Sequence, residues 1–296
     1  MPDGPAEERV RELVAAALPA WAGLPVRRLR SDGTVNAVYR LGDALSIRIP
    51  FTVEGTSDVA RDELLLPRLA PLLPVPVPEP LAVVAPSAEH PATWGVYRWR
   101  EGVHPVAGAL ERPEDLARDL AGFVAAMRAV TPVDGPRAHR GGPLADQDAE
   151  VREALAALAG LPEENVDVEL LTEVWEDGLE AAAGGFAPVW LHADLMPGNL
   201  LVSEDGRLTS VIDFGCAGVG DPACDLFPAW NLLPASARGV FRGALGVDGA
   251  TWRRGRARTL AQAAVALPWY RGRNRGMSEN ARHVLREVTR EWRAAR

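Results

Sequence analysis

The chain contains no lysine: all 32 of its basic residues are arginine. A codon bias towards Arg, Ala, Gly and Pro accounts for the absence, but the chemical consequence stands. Any cation needed beside a phosphate must be a guanidinium, a planar fork rather than a point charge. Cysteine is scarce too. Cys216 and Cys224 are too few for a disulfide framework or a zinc site, and both read as small buried residues of a reducing compartment. No apolar run approaches the ~18 residues of a membrane span. The first residues, MPDGPAEERV, are acidic and polar, unlike a signal peptide. A cytoplasmic location and no membrane partner are expected. Positive charge is in deficit, 32 Arg against 40 Asp and Glu for a net −8. That balance argues against a nucleic-acid partner held by backbone electrostatics.

What is present is ordinary for a soluble globular protein: 47% hydrophobic and 24% charged residues, over 296 positions that suit one large domain or two lobes. Residues 6–18 carry Val10, Leu13, Val14 and Ala17 at helical spacing. Short runs at 26–29, 37–41 and 45–49, joined by Ser31-Asp32-Gly33 and Gly42-Asp43, predict an antiparallel meander. A helix is expected at 57–70, with a break or kink at Pro67. PLLPVPVPEP, 71–80, predicts an extended connector, and strands follow at 81–85 and 95–99. Beyond WREGVHP, 99–105, helices are expected at 113–129, 147–159 and 164–182 and over most of the chain from 222. Strand-like segments interrupt them at 189–191 and 200–212. The pattern predicts an α+β chain of two lobes, 1–98 strand-rich and 99–296 helical, with a cleft between them.

The chemistry concentrates in LHADLMPGN, 191–199, and VIDFG, 211–215. An isolated Asp or Asn in a turn most often caps or bends the chain. The set His192, Asp194, Asn199 and Asp213 is far more specific. Phosphoryl transfer needs a carboxylate that orients and deprotonates an attacking hydroxyl, which suits Asp194. It also needs oxygen ligands for Mg2+, and Asn199 supplies a neutral one and Asp213 a charged one. Mg2+ keeps its waters and phosphate oxygens, so few protein ligands suffice.

HADLMPGN resembles the catalytic loop of the protein-kinase-like fold, and IDFG its metal-binding motif. With GDPACDL, 220–226, the set more closely resembles the aminoglycoside phosphotransferase family. SDGTVNAVYRLGD, 31–43, resembles that family's nucleotide-loop region and VYRWREG, 96–102, its inter-lobe hinge, so the likeness spans roughly residues 30–290. It implies a two-lobed protein-kinase-like fold, with a small antiparallel-sheet N-lobe and a larger mainly helical C-lobe. It implies Asp194 as catalytic base, Asn199 and Asp213 as Mg2+ ligands, and ATP or GTP as co-substrate. His192 would tie the loop to the strand before Asp213, while Asp221 and Asp225 would brace the loop and start the next helix. The nucleotide loop has one glycine and is not a Walker loop. Gly33, Thr34 and Asn36 would still cradle phosphates through backbone N–H groups, and Tyr97, Arg98 and Trp99 would present backbone groups to adenine. Where the family carries a strand lysine, this chain has Arg48. Its expected partner is Asp62, which shares a helical face with Val59, Leu66 and Leu69; Glu63 is the alternative.

The resemblance favours a small-molecule acceptor with a hydroxyl, an antibiotic such as an aminoglycoside. A macrolide, a nucleoside antibiotic and a metabolite are alternatives. The acidic stretch 161–180 suits a polycation, or a solvated helix face. Two other classes compete. Arg48 in place of lysine leaves room for a non-catalytic nucleotide-binding module, against which Asp194, Asn199 and Asp213 count. TWRRGRARTL, 251–260, reads as a basic patch for nucleic acid or as a solvated helix face, and the net charge favours the second.

Overall fold

The computed structural model describes residues 4–29, 35–53 and 56–296. Gly33 and Thr34, with the turn expected at Ser31-Asp32-Gly33, lie outside the described residues. Helix α1 (Glu7–Ala17) precedes strands β1 (Val26–Arg28), β2 (Asn36–Leu41) and β3 (Leu45–Pro50). Helix α2 (Thr56–Leu69) follows, then β4 (Pro80–Val84) and β5 (Trp94–Arg98). The five strands form one antiparallel sheet in the order β1-β2-β3-β5-β4. Val38 stands opposite Arg48, and Tyr39 opposite Ile47. Side chains alternate between faces along a strand, so the two sets part company. Tyr39, Leu41, Ile47 and Ile49 enter a small core with Val10, Leu13 and Val14 of α1, whereas Val38, Ser46 and Arg48 line a cleft on the other face.

The break expected at Pro67 does not occur, and α2 stays helical to Leu69. Proline deletes one rung of the hydrogen-bond ladder near the helix end, while Leu65, Leu66 and Leu69 bury in the larger core and outweigh that loss. The connector expected over 71–80 begins inside a 3-10 turn, Ala70–Leu72, and becomes extended after it.

The helical part comprises α3 (Pro113–Arg128), α4 (Asp148–Ala159) and α5 (Val168–Ala182), then α6 (Pro228–Asn231), α7 (Ala235–Leu245), α8 (Gly249–Tyr270) and α9 (Arg275–Ala294). Helix α5 starts later than expected because Asn165 is left-handed (φ 51°) and Asp167 caps the helix by accepting from the Leu170 N–H at 3.2 Å. The strand expected over 200–212 is a hairpin, β7 (Leu200–Val202) with β8 (Leu208–Val211); β6 (Val189–Leu191) pairs with β9 (Gly218–Gly220).

The arginines of α8 do not form a solvated face. Arg254, Arg256 and Arg258 are buried. Asp221 holds Arg254 and Arg258 at 3.1 and 3.0 Å, Asp177 holds Arg253 and Arg256 at 2.7 and 2.8 Å, and Glu164 binds both forks of Arg282 at 2.6 and 2.7 Å. Asp177 of the acidic stretch thus meets Arg253 and Arg256 of the basic stretch, whereas Glu164, Asp167 and Glu173 pair with Arg282, Arg293 and Arg296 near the C-terminus.

Candidate active site

A cleft of about 1350 Å3 is lined by residues of both the sheet and the helical part. One small-molecule pocket usually measures roughly 300–1000 Å3, so this cleft has room for two ligands. Leu29, Val38, Leu201 and Ile212 give the cleft apolar walls. Arg48, Asp194, Asn199 and Asp213 line it too.

The loop after β6 is held in a costly shape by specific bonds. Ala193 has φ 64°, a conformation that non-glycine residues seldom adopt. The Asp225 carboxylate fixes it by accepting from the His192 and Ala193 N–H groups at 2.8 and 2.7 Å. Burial pushes the Asp225 carboxyl above its ordinary range, against the pull of His192 and those two N–H groups. His192 is fully buried, with Phe214 edge-on at 4.7 Å. Its Nδ1 accepts from the Asp194 N–H (3.2 Å), which leaves the proton on Nε2 to reach the Ile212 carbonyl (3.1 Å). His192 therefore links the loop to the strand end that carries Asp213.

Asn199 donates its Nδ2 to the Asp194 carbonyl at 2.8 Å and to Asp194 Oδ2 at 3.0 Å. Its Oδ1 is left for a ligand. Asp213 lies just past β8 at φ 67°, with its side chain 41% exposed. Both contribute hard oxygen donors to the same cleft, as Mg2+ requires. Among the described residues no group of three or more His, Cys, Asp or Glu side chains could hold a metal. The fit is to an ion that brings phosphate oxygens and waters of its own.

Arg48 joins the two sides of the cleft. Its Nη1 donates to Asp62 Oδ2 at 3.0 Å and its Nη2 to Asp213 Oδ1 at 2.7 Å. The inward-facing Asp62 is the partner, and Glu63 is exposed. The planar fork spans two carboxylates at once, which a single ammonium cannot copy in the same geometry. Burial raises the Asp62 carboxyl to about 7, although Arg48 pulls it down. Burial also acts on Asp213, but there the Arg48 guanidinium outweighs it and holds the carboxyl below its usual range. Asp58, one turn before Asp62, was not legible as a site residue. Its carboxyl faces Gly215, where an added Cβ would lie 2.8 Å from Asp58 Cγ, and burial together with the nearby Asp213 raises it.

Asn36, Tyr97, Arg98 and Trp99 line the same cleft. The Tyr97 ring lies 5.6 Å from the Arg48 guanidinium, and the residue, opposite Ser46 in the sheet, is largely buried on the cleft face. The N–H groups of Arg98 and Trp99 donate to Glu79 and Ala44 carbonyls at 3.0 and 2.8 Å, so neither is free to meet a base. The reason is topological: β5 sits between β3 and β4, and sheet partners on both sides claim its backbone. Trp99 contributes its ring to the cleft, beneath the Arg40 guanidinium at 3.9 Å. Asn36 lines the cleft with a buried Oδ1 that has no protein partner. Asp221 does not touch the loop; it caps the turn Pro222–Leu226 through the Ala223 N–H and binds Arg254 and Arg258. Sequence reasoning missed Arg140 altogether. Its Nη1 donates to Asp194 Oδ1 at 2.6 Å from a loop with no recognisable motif.

The fold is similar to that of aminoglycoside 2'-phosphotransferase-IIIa in a GDP complex, with a TM-score of 0.74 at 19% identity, covering 97% of this chain and 99% of that one. A structure of APH(2")-IIia with GDP and kanamycin gives 0.73 at 19% identity over 95% and 98%. Macrolide 2'-phosphotransferase MphH from Brachybacterium faecium gives 0.61 at 22% identity over 94% and 97%. The architecture is thus the two-lobed, kinase-like one. No curated protein sequence matches the chain significantly. The model of the phosphotransferase enzyme family, APH, matches residues 26–258, which include Arg48, Asp62, Asp194, Asn199 and Asp213, and the chain belongs to that family of enzymes.

Proposed function

We propose that the chain transfers the γ-phosphoryl group of ATP or GTP to a hydroxyl of a small molecule, with Asn199 and Asp213 as the protein ligands of Mg2+. The observation that carries this reading is the convergence of Asp194, Asn199, Asp213 and Arg48 on one cleft. Mg2+, when bound, neutralises charge on the nucleotide phosphates. Asp194 accepts the proton of the acceptor hydroxyl and aims that oxygen at phosphorus. Asn199 fixes the rotation of the Asp194 carboxylate, and Arg48 fixes Asp213. Arg48, the feature that favoured a non-catalytic module, is bound to Asp62 and Asp213. Complexes of this fold with GDP and with ADP support either nucleotide. Among the described residues no helix is long and apolar enough to cross a membrane, and we place the enzyme in the cytoplasm.

For the acceptor, an antibiotic is the reading that the aminoglycoside and macrolide phosphotransferases of similar fold support. The wall formed by α8 and α9 orders these two. It presents Val265, Met277 and a 63% exposed Trp269 beside Gln262, Asn280 and Arg286. Its carboxylate Glu279 is paired with Arg275 at 2.7 Å, and most acidic residues of 161–180 are paired elsewhere. That wall suits an acceptor with an extended apolar face better than a polycation. The test is a panel of macrolides, aminoglycosides and hydroxyl metabolites with ATP and GTP, read by mass spectrometry for a phosphate adduct. Asp194→Asn is expected to lower kcat by about 10²–10⁴ while nucleotide binding persists. Undiminished turnover in that variant would remove Asp194 from the role of base.

A further inference from the structure

Arg140 belongs to none of the motifs above, yet it makes the closest contact to the proposed base. Its guanidinium occupies Asp194 Oδ1 at 2.6 Å, while Asn199 occupies Oδ2 at 3.0 Å. Each carboxylate oxygen already accepts a hydrogen bond, and one of them is charge-assisted. An acceptor hydroxyl that approaches Oδ1 must therefore compete with the guanidinium for that oxygen.

The loop that delivers Arg140 is built, not incidental. The N–H groups of Ala138 and His139 donate to the Val219 and Cys216 carbonyls, both at 3.0 Å, and the Gly141 carbonyl accepts from Asp221 N–H at 3.0 Å. The Arg140 carbonyl accepts from Arg258 at 2.9 Å, and Arg258 is itself buried on Asp221 at 3.0 Å. The backbone is thus clamped to the segment that follows Asp213. The side chain is different: it is about a third exposed (32%) and lines the cleft. A fixed base with a long rotatable side chain can exchange one anionic partner for another a few ångströms away.

Such a partner arrives with the nucleotide. The γ-phosphoryl group must reach the hydroxyl that Asp194 orients, which brings its oxygens within the range of the guanidinium. The chain has no lysine, and Arg48 is already engaged by two carboxylates. Resting on the phosphotransferase reading, we propose that Arg140 is a catalytic residue: its guanidinium, within reach of both Asp194 Oδ1 and the transferring group, binds the γ-phosphoryl oxygens of the nucleotide and so leaves Oδ1 to the acceptor hydroxyl. In the transfer, the acceptor O–H bond breaks and its proton passes to Asp194. The bond from the acceptor oxygen to phosphorus forms. The bond from that phosphorus to the bridging oxygen breaks, and its electron pair stays on the nucleoside diphosphate. Arg140 gains and loses no proton; its charge meets the negative charge on the transferring group.

The test uses the full chain and its Arg140→Ala, Arg140→Gln and Arg140→Lys variants. Titration calorimetry compares Mg2+ with ADP or GDP alone against the same mixture with aluminium fluoride, a mimic of the transferring phosphoryl group. Wild type should bind the mimic more tightly than the diphosphate. Arg140→Ala and Arg140→Gln should lose about 10²–10³-fold of that increment and of kcat, with diphosphate affinity changed less than about three-fold, and Arg140→Lys should recover part. Turnover is followed with the best acceptor of the panel, or as hydrolysis by water. Full retention of the increment and of kcat in folded variants overturns the proposal, as does an equal loss of diphosphate and mimic binding, which marks a scaffold role. Wild-type turnover with unaffected variants overturns this proposal alone; a wild type that binds no nucleotide overturns the phosphotransferase reading as well.

Discussion

At the scale of single residues, one guanidinium organises the site. Arg48 replaces a point charge by a fork, and the fork holds Asp62 and Asp213 together across the cleft. Lysine at this position could satisfy one carboxylate well and the other poorly. Arg48→Lys is expected to lower kcat/KM for the nucleotide roughly 10- to 100-fold, the worth of one charged hydrogen bond, in steady-state assays. Asp62 adds a pH signature. Its carboxyl is raised by burial from 3.8 to about 7, so between those values the folded chain holds a proton that the unfolded chain releases. Stability from this group is therefore lost as pH rises through that window. Asp62→Asn should remove that fall from a plot of Tm against pH; an unchanged slope would show that Asp62 does not titrate there.

At the scale of elements, the site depends on loops packed without side chains between them. β9 and the loop 136–142 approach so closely that a Cβ on Gly220 would lie 2.5 Å from the Gly141 carbonyl oxygen. Backbone on both sides cannot yield cheaply. Gly220→Ala is expected to destabilise the fold by about 1–3 kcal/mol and to draw Arg140 away from Asp194. Thermal unfolding checks the first effect and kcat the second, and a stable variant with full activity would contradict both. The strained turn at Ala193 has the same logic: Asp225 supplies, from the turn Pro222–Leu226, the two hydrogen bonds that hold the catalytic loop in shape.

At the scale of the molecule, charge is arranged internally. The arginines that a linear reading offers to nucleic acid are turned inward to carboxylates, and the carboxylates offered to a polycation are largely taken by arginines. Asp221 is the deepest of these junctions, since it balances Arg254 and Arg258. Burial acts to raise it, yet the two guanidiniums and the Ala223 N–H hold it below the ordinary 3.8. Its contribution is present above that value and is lost as pH falls through the lower folded value. Asp221→Asn leaves two buried cations without compensation and is expected to cost about 3–5 kcal/mol at neutral pH, read by chemical denaturation. A loss below about 1 kcal/mol would mean that water reaches the pair.

The sequence by itself determined the reaction class and the order of elements. His192-x-Asp194 with Asn199 and Asp213 is a local pattern, because loop and strand end are short and their spacing fixes which atoms converge. The resemblance matched Arg48 to the strand cation, and helical periodicity chose Asp62 over Glu63. Tertiary structure alone decided the rest. Whether the Arg98 and Trp99 amides are free depends on strands that arrive from elsewhere in the chain. Whether an acidic helix is a docking face or half of an ion-pair seam depends on which helix packs on it. Arg140 stands 54 positions from Asp194 in a loop without periodicity. Nothing local marks it, because its partner is fixed by the meeting of loop 136–142 with the segment after Asp213, and that meeting exists only in the folded chain.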